Sequence, residues 1–159
     1  MTIKEILLEQ FTACYDENNW FVALKNALAN LTADEADWKT ENLDNSILET
    51  VNHLSFWNER WLKKLRNERV EDAPENDLTF AGAADWEAAK GKLFRVLDEW
   101  RAALREMDES KLSETVSEEY GAAWSSPIAN MNIHNAYHAG QIVLLRKFQG
   151  VWDASKGVS

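Results

Sequence analysis

Residues 125–150 read SSPIANMNIHNAYHAGQIVLLRKFQG. Apolar residues recur through this run at helical spacing, which predicts one long helix. Its ends carry their own signals. Ser126 stands where an N-cap belongs, Pro127 follows in the first helical position where a missing N–H is no loss, and Gly150 suits a C-terminal cap. Inside the run, His134 and His138 are four residues apart, so their rings share one face and can point at one spot.

Three further segments repeat apolar residues at three- and four-residue steps. The first carries Ile3, Leu7, Phe11, Cys14, Phe21, Leu24 and Leu28 and predicts a helix over about residues 2–30. The second opens at SILE, where Ser46 and Glu49 can form a capping box, and runs to about Asn67. The third follows the acidic loop NERVEDAPEND, starts near Ala83 and carries Trp86, Leu93, Leu97, Trp100, Leu104 and Met107. Long connections separate the first helix from the second and the third from the fourth, and the TADE of the first connection can begin a short extra turn. The expected fold is all-α, a four-helix bundle whose long connections make it something other than simply up-down-up-down. No repeat or compositional break divides the chain, so a single domain over residues 1–159 is expected.

Composition excludes several functions. A formal charge of −10 opposes binding to DNA or to anionic membrane surfaces, because affinity for phosphates comes from Lys and Arg. No stretch approaches the roughly 20 apolar residues of a membrane-spanning helix. The single cysteine, Cys14, has no internal disulfide partner, and MTIKEILLEQF lacks the pattern of a secretory signal, which together predict a cytoplasmic protein. Neither nucleic acid nor membrane is an expected partner.

The chemistry rests on histidine. Imidazole ligates Zn, Ni, Cu and Fe, and two rings on adjacent turns make a bidentate clip. The remaining histidine, His53, lies on the second helix beside Val51, Leu54 and Trp57, near the inward face, and is the natural third ligand. Taken singly, each of these histidines would read as a packed side chain; together they account for every histidine in the chain by one site. Asn135 occupies the position where zinc proteases of the HExxH type carry their general base, which disfavours protease activity. Glu49 and Glu59 are conceivable carboxylate ligands, Glu49 at a four-residue helical step before His53 and Glu59 six residues after it, out of helical register.

The histidine in SILETVNHLSFWNERWL, followed in the last helix by HNAYHAGQI, resembles the pattern of the DinB/YfiT-like superfamily of metal-binding four-helix bundles, and the resemblance extends over essentially residues 1–150. It implies His53, His134 and His138 as ligands of one divalent ion per chain, nickel or zinc before iron or manganese, with coordination positions open to water. It also implies a homodimer, as does the number of tryptophans, more than four helices readily bury. Relatives include transferases or isomerases that use low-molecular-weight thiols and others described as metal-dependent hydrolases. The resemblance therefore implies a metal-dependent enzyme with a small thiol as cosubstrate or with water as reactant. A non-catalytic, dimeric bundle that binds a metal or small ligand is the alternative.

Other residues have narrower roles. Trp20, Trp57, Trp61, Trp86, Trp100 and Trp124 are expected to be mostly core, with Trp57, one turn after His53, walling the metal cavity. Met131 and Gln141 flank the histidine pair at three-residue steps and can border its open side. Asn52, Asn135 and Tyr137 are candidates to orient the imidazole N–H groups. Cys14 reads as packing in the first helix, and the acidic loop over residues 68–77 as a solvated linker.

Overall fold

Thr2, Ser46 and Asp85 each open a long helix with a side-chain oxygen that accepts a first-turn N–H, and at Thr2 and Ser46 a glutamate completes the capping box. In the computed structural model, which describes residues 1–157, the elements in chain order are α1 (Ile3–Tyr15), α2 (Leu24–Ala27), α3 (Ala33–Asp37), α4 (Ile47–Leu65), α5 (Trp86–Glu106) and α6 (Ser125–Gln149). The four long helices pack as a ring, each on two neighbours: α1 on α5 and α6, and α4 on α5 and α6. Phe11, Leu54, Leu93, Leu97, Leu104 and Ile142 fill the centre and are almost fully buried. Among the described residues no helix is long and apolar enough to cross a membrane.

Side-chain bonds reveal the helix directions. Asn52 reaches Ala83, Glu59 pairs with Lys92, and Arg66 pairs with Glu99, so α4 and α5 run parallel. His53 meets His134 while Trp61 meets Trp124, so α4 and α6 are antiparallel. Lys4 binds the carbonyls of Arg105 and Met107 while Tyr15 binds Asp98, so α1 and α5 are antiparallel as well. Two consecutive helices pointing the same way need a connection that returns along the bundle. That connection, residues 66–85, carries a 3₁₀ turn over Asn76–Phe80 packed against α4. Gly82 lets it lie close: a Cβ there would come within 2.7 Å of Asn52 Cγ, whose own amide donates to Ala83 O at 3.1 Å.

Two expectations are corrected. The first helix ends at Tyr15 rather than near residue 30, because Asp16–Asn19 form a turn. Asn18 Oδ1 accepts from Ala23 N and Asn26 Nδ2, a local alternative to helical bonding. Leu24 and Leu28 are buried all the same. The last helix begins at Ser125, so Ser126 is inside it and no side chain caps it; Trp124 precedes it, its N–H donating to Glu114 O beside the bridge Thr115–Ala123. Pro127 still falls in the first turn, where its missing donor is harmless. Among the tryptophans, Trp86, Trp100 and Trp124 are buried, Trp57 and Trp61 are half-buried, and Trp20 is 90% exposed on the loop after α1. The TADE turn forms as α3, with Thr32 and Glu35 as its capping box.

Candidate metal centre

His53 comes from the first half of α4, and His134 and His138 from the middle of α6. Antiparallel packing of the two helices brings the three together. His134 Nε2 lies 3.0 Å from His53 Nε2 and 3.1 Å from His138 Nε2, and the donor atoms of all three residues lie within 4.8 Å of one another. Two nitrogens that each bind one ion at about 2.1 Å, at angles between roughly 90° and 109°, stand roughly 3.0–3.4 Å apart. The group could hold a metal ion.

Second hydrogen bonds decide where the lone pairs point. Thr79 Oγ1 donates its proton to Asn76 O at 2.6 Å, so at 2.6 Å from His53 Nδ1 it must accept. His53 therefore carries its hydrogen on Nδ1 and a lone pair on Nε2. Gln141 is oriented by its amide donating to Tyr137 Oη at 3.0 Å, which turns Oε1 toward His138 Nδ1 at 2.7 Å. His138 too presents a lone pair at Nε2. His134 Nδ1 is buried with no partner in the chain. A proton on His134 Nε2 can satisfy one neighbouring lone pair well and leaves the other facing it.

All three rings are held neutral. Burial, then the neighbouring His138 and His134, pushes His53 down to about 3; burial and His138 push His134 down to about 4; burial lowers His138, with its bond to Gln141 opposing. Neutral imidazole is the form that binds metals. Phe80 stacks on His53 with ring centres 4.1 Å apart and planes 14° apart, which clamps the ring laterally.

A cleft of about 590 Å³ opens on one side of the triad, lined by all three histidines with Phe80, Tyr137 and Gln141. A second cavity of about 340 Å³ holds Trp57 and Met131, with His134 in its wall. Gln141 thus both lines the cleft and orients His138. Trp57 lies 6.4 Å from the His53 ring, centre to centre. Of the candidate orienting residues, none bonds an imidazole directly. Asn52 holds the crossover, Asn135 pairs reciprocally with Asn58, and Tyr137 acts on His138 only through Gln141. Glu49 is engaged by Ser46 and Lys39, and Glu59 by Lys63 and Lys92, both apart from the triad. Cys14 donates to Asn132 O between α1 and α6, and burial pushes its thiol up to about 11.

Thr79 and Phe80 are the residues that sequence reasoning missed. They directly follow the acidic loop, whose residues 71–77 are exposed as expected of a linker. The available signal was LTF, a short apolar step closing an otherwise polar run.

The family model described as the DinB superfamily matches residues 19–142, a span that contains all three histidines. No curated protein and no solved structure matches the chain.

Proposed function

The chain belongs to the DinB superfamily, and on that premise we propose that it is a metal-dependent enzyme whose ligands are His53, His134 and His138. The carrying observation is the pair of fixed tautomers: His53 and His138 have their Nδ1 hydrogens engaged by Thr79 and Gln141, so two lone pairs converge beside the third ring. His53, His134 and His138 would hold a divalent ion, which when bound would supply Lewis acidity and lower the pKa of water or of a thiol toward neutrality. The chain contributes three neutral donors and an adjoining cleft for reactants. Three ligands rather than four leave the ion incompletely enclosed, the feature that separates catalytic from structural zinc. Nickel or zinc fits the imidazole set before iron or manganese.

The reaction is transfer to a low-molecular-weight thiol, or hydrolysis. Elimination supports a reactant supplied from solution: Cys14 is buried with a raised pKa, and no carboxylate belongs to the triad. One domain and a cytoplasmic location complete the proposal, the latter supported by the lone cysteine. The test is a panel of electrophiles, esters and amides turned over by metal-loaded protein with and without small thiols. Thiol-dependent turnover selects the transferase and thiol-independent turnover the hydrolase. Activity that survives both metal removal and His138→Ala refutes the proposal.

One observation favours the second reading, a dimeric binding bundle. Ile133, Tyr137, Leu144 and Phe148 form an outward apolar stripe on α6, each at least 51% exposed, and such faces mark association surfaces. The same stripe serves a dimeric enzyme. Sedimentation should give twice the 18.2 kDa of one chain, and a Leu144→Lys/Phe148→Lys variant should sediment as one chain. Metal uptake and dimerisation without turnover across the panel would select the binding bundle.

A further inference from the structure

The groove between α4 and α6 is occupied by the triad at its middle, and the two cavities it leaves differ in chemistry. The cleft on the side of the α6 C-terminus is walled in part by Asn42, Asp44, Asn45 and Gln141. On the other side, toward the start of α6, the chamber is walled by Trp57, Trp61, Tyr120 and Met131, with Asn130 exposed among its lining residues. Among the described residues no Asp, Glu, Lys or Arg lines it. Asn76 and His134 belong to both cavities, so the two abut at the triad.

We infer that the aromatic chamber is a binding subsite for an uncharged, flat, apolar group, an aromatic ring of an organic ligand, held beside the metal centre while polar groups enter through the opposite cleft. The wall argues the ligand's charge: none of its lining side chains is charged, and Lys64 Nζ, 4.8 Å from the Trp61 ring centre, is already engaged by that ring, so an ion taken out of water here would find no free partner. Shape argues its flatness, since Trp61 and Tyr120 meet edge to face at 5.3 Å between ring centres, an arrangement that offers a third ring a stacking or edge partner. Volume argues its size. A cavity of about 150 Å³ holds benzene, so about 340 Å³ accommodates a fused two-ring group. The position argues its use, because Trp57 reaches within 6.4 Å of His53 and His134 is itself a wall. That this ring belongs to a reacting substrate rests on the metal-enzyme reading; that the chamber binds it does not.

The probe is N-phenyl-1-naphthylamine, a neutral molecule whose emission rises in apolar surroundings, titrated into the full chain both zinc-loaded and chelator-treated. Binding is expected in both forms and should weaken about tenfold or more in Trp61→Ala, the loss typical of a central aromatic contact. Asn130→Trp, a substitution at an exposed position that fills the chamber without touching the core, should have the same effect. Trp20→Ala, in the separate apolar groove between α1 and α6, should leave binding unchanged. With cobalt(II) in place of zinc, the probe should shift the visible spectrum of the wild type and not of Asn130→Trp. No binding, binding indifferent to both chamber variants, or binding lost only in Trp20→Ala overturns the inference. If the protein takes up no metal yet the probe follows the chamber variants, the metal reading fails and the subsite stands.

Discussion

Two polar clusters lie between helices of this bundle, and they follow opposite principles. Between α1 and α5, Arg101 binds Asp16 at 2.6 Å and Asp98 at 2.8 Å, while Tyr15 Oη donates to Asp98 at 2.9 Å. Burial, with Asp98 alongside, pushes the Tyr15 phenol well above its usual range, so it stays a neutral donor. Opposite charges answer one another. Between α4 and α6, three neutral imidazoles converge with no carboxylate in the group. The first cluster answers charge with charge, although Asp16 Oδ1 stays buried without a partner, whereas the second holds no opposite charge and could hold a cation. Polar residues in a helix seam thus announce function by the sign of what is missing, and their number alone says little.

The largest effect should come from His134→Ala. It removes the ring that faces both other donors, and metal affinity should fall by more than the ~10–100-fold that loss of an outer partner costs. Metal content after dialysis against dilute zinc checks it: about one ion per chain in the wild type and in Arg101→Gln, none in His134→Ala or in His53→Ala/His138→Ala. Full metal content in the double variant would abolish the distinction between the clusters.

Thr79→Val comes next. Valine keeps the shape and loses the acceptor that holds the His53 hydrogen on Nδ1, so affinity for zinc should drop about 10–100-fold, with a stability loss of about 1–3 kcal/mol from the buried N–H left unpaired. A chelating-dye competition measures it. Wild-type affinity would mean that the tautomer of His53 is set by something other than this bond.

Thr79 also marks the limit of what the sequence discloses. His53, His134 and His138 are legible because they are the only histidines, two share a helical face, and the third sits on another strongly periodic helix. The four long helices are legible through their apolar stripes, and Ser46 with Glu49 through capping chemistry. Thr79 and Phe80 obey no period; they reach the site because α4 and α5 are parallel and the crossover must return across α4. The Asn58–Asn135 amide pair depends on helix register, which no local pattern encodes. The break after Tyr15 was hidden because Leu24 and Leu28 continue the stripe of α1 although a turn intervenes.

Acid should separate the clusters more modestly. His53 and His134 titrate near 3 and 4 in the folded chain against about 6.5 unfolded, so below pH 6.5 the unfolded chain binds more protons and stability falls as pH falls. Between pH 6.5 and 5.5, where carboxylates are still ionised, the two together should remove on the order of 2 kcal/mol from metal-free protein. Urea unfolding at the two pH values measures it. Replacing both by Gln should flatten the dependence, and an equal slope in that variant would mean that the imidazoles are not held neutral.

The smallest effect belongs to the ion-paired cluster. Arg101 and Asp16 are mostly but not fully buried, and pairs that retain contact with water contribute at most about 1 kcal/mol. Arg101→Gln keeps a donor on the same stem, leaves Asp98 with the Tyr15 hydroxyl, and leaves Lys25 3.8 Å from Asp16. The melting temperature should therefore fall by only about 2–4 °C. The loss should shrink further at 1 M salt, where the screening length is about 3 Å. Neutral imidazoles offer no such handle, so salt should barely change the destabilisation of metal-free His53→Gln. A loss in Arg101→Gln that persists undiminished at high salt would show that this seam, too, is held by something other than paired charge, since screening acts on attraction between ions and leaves packing and neutral hydrogen bonds almost untouched.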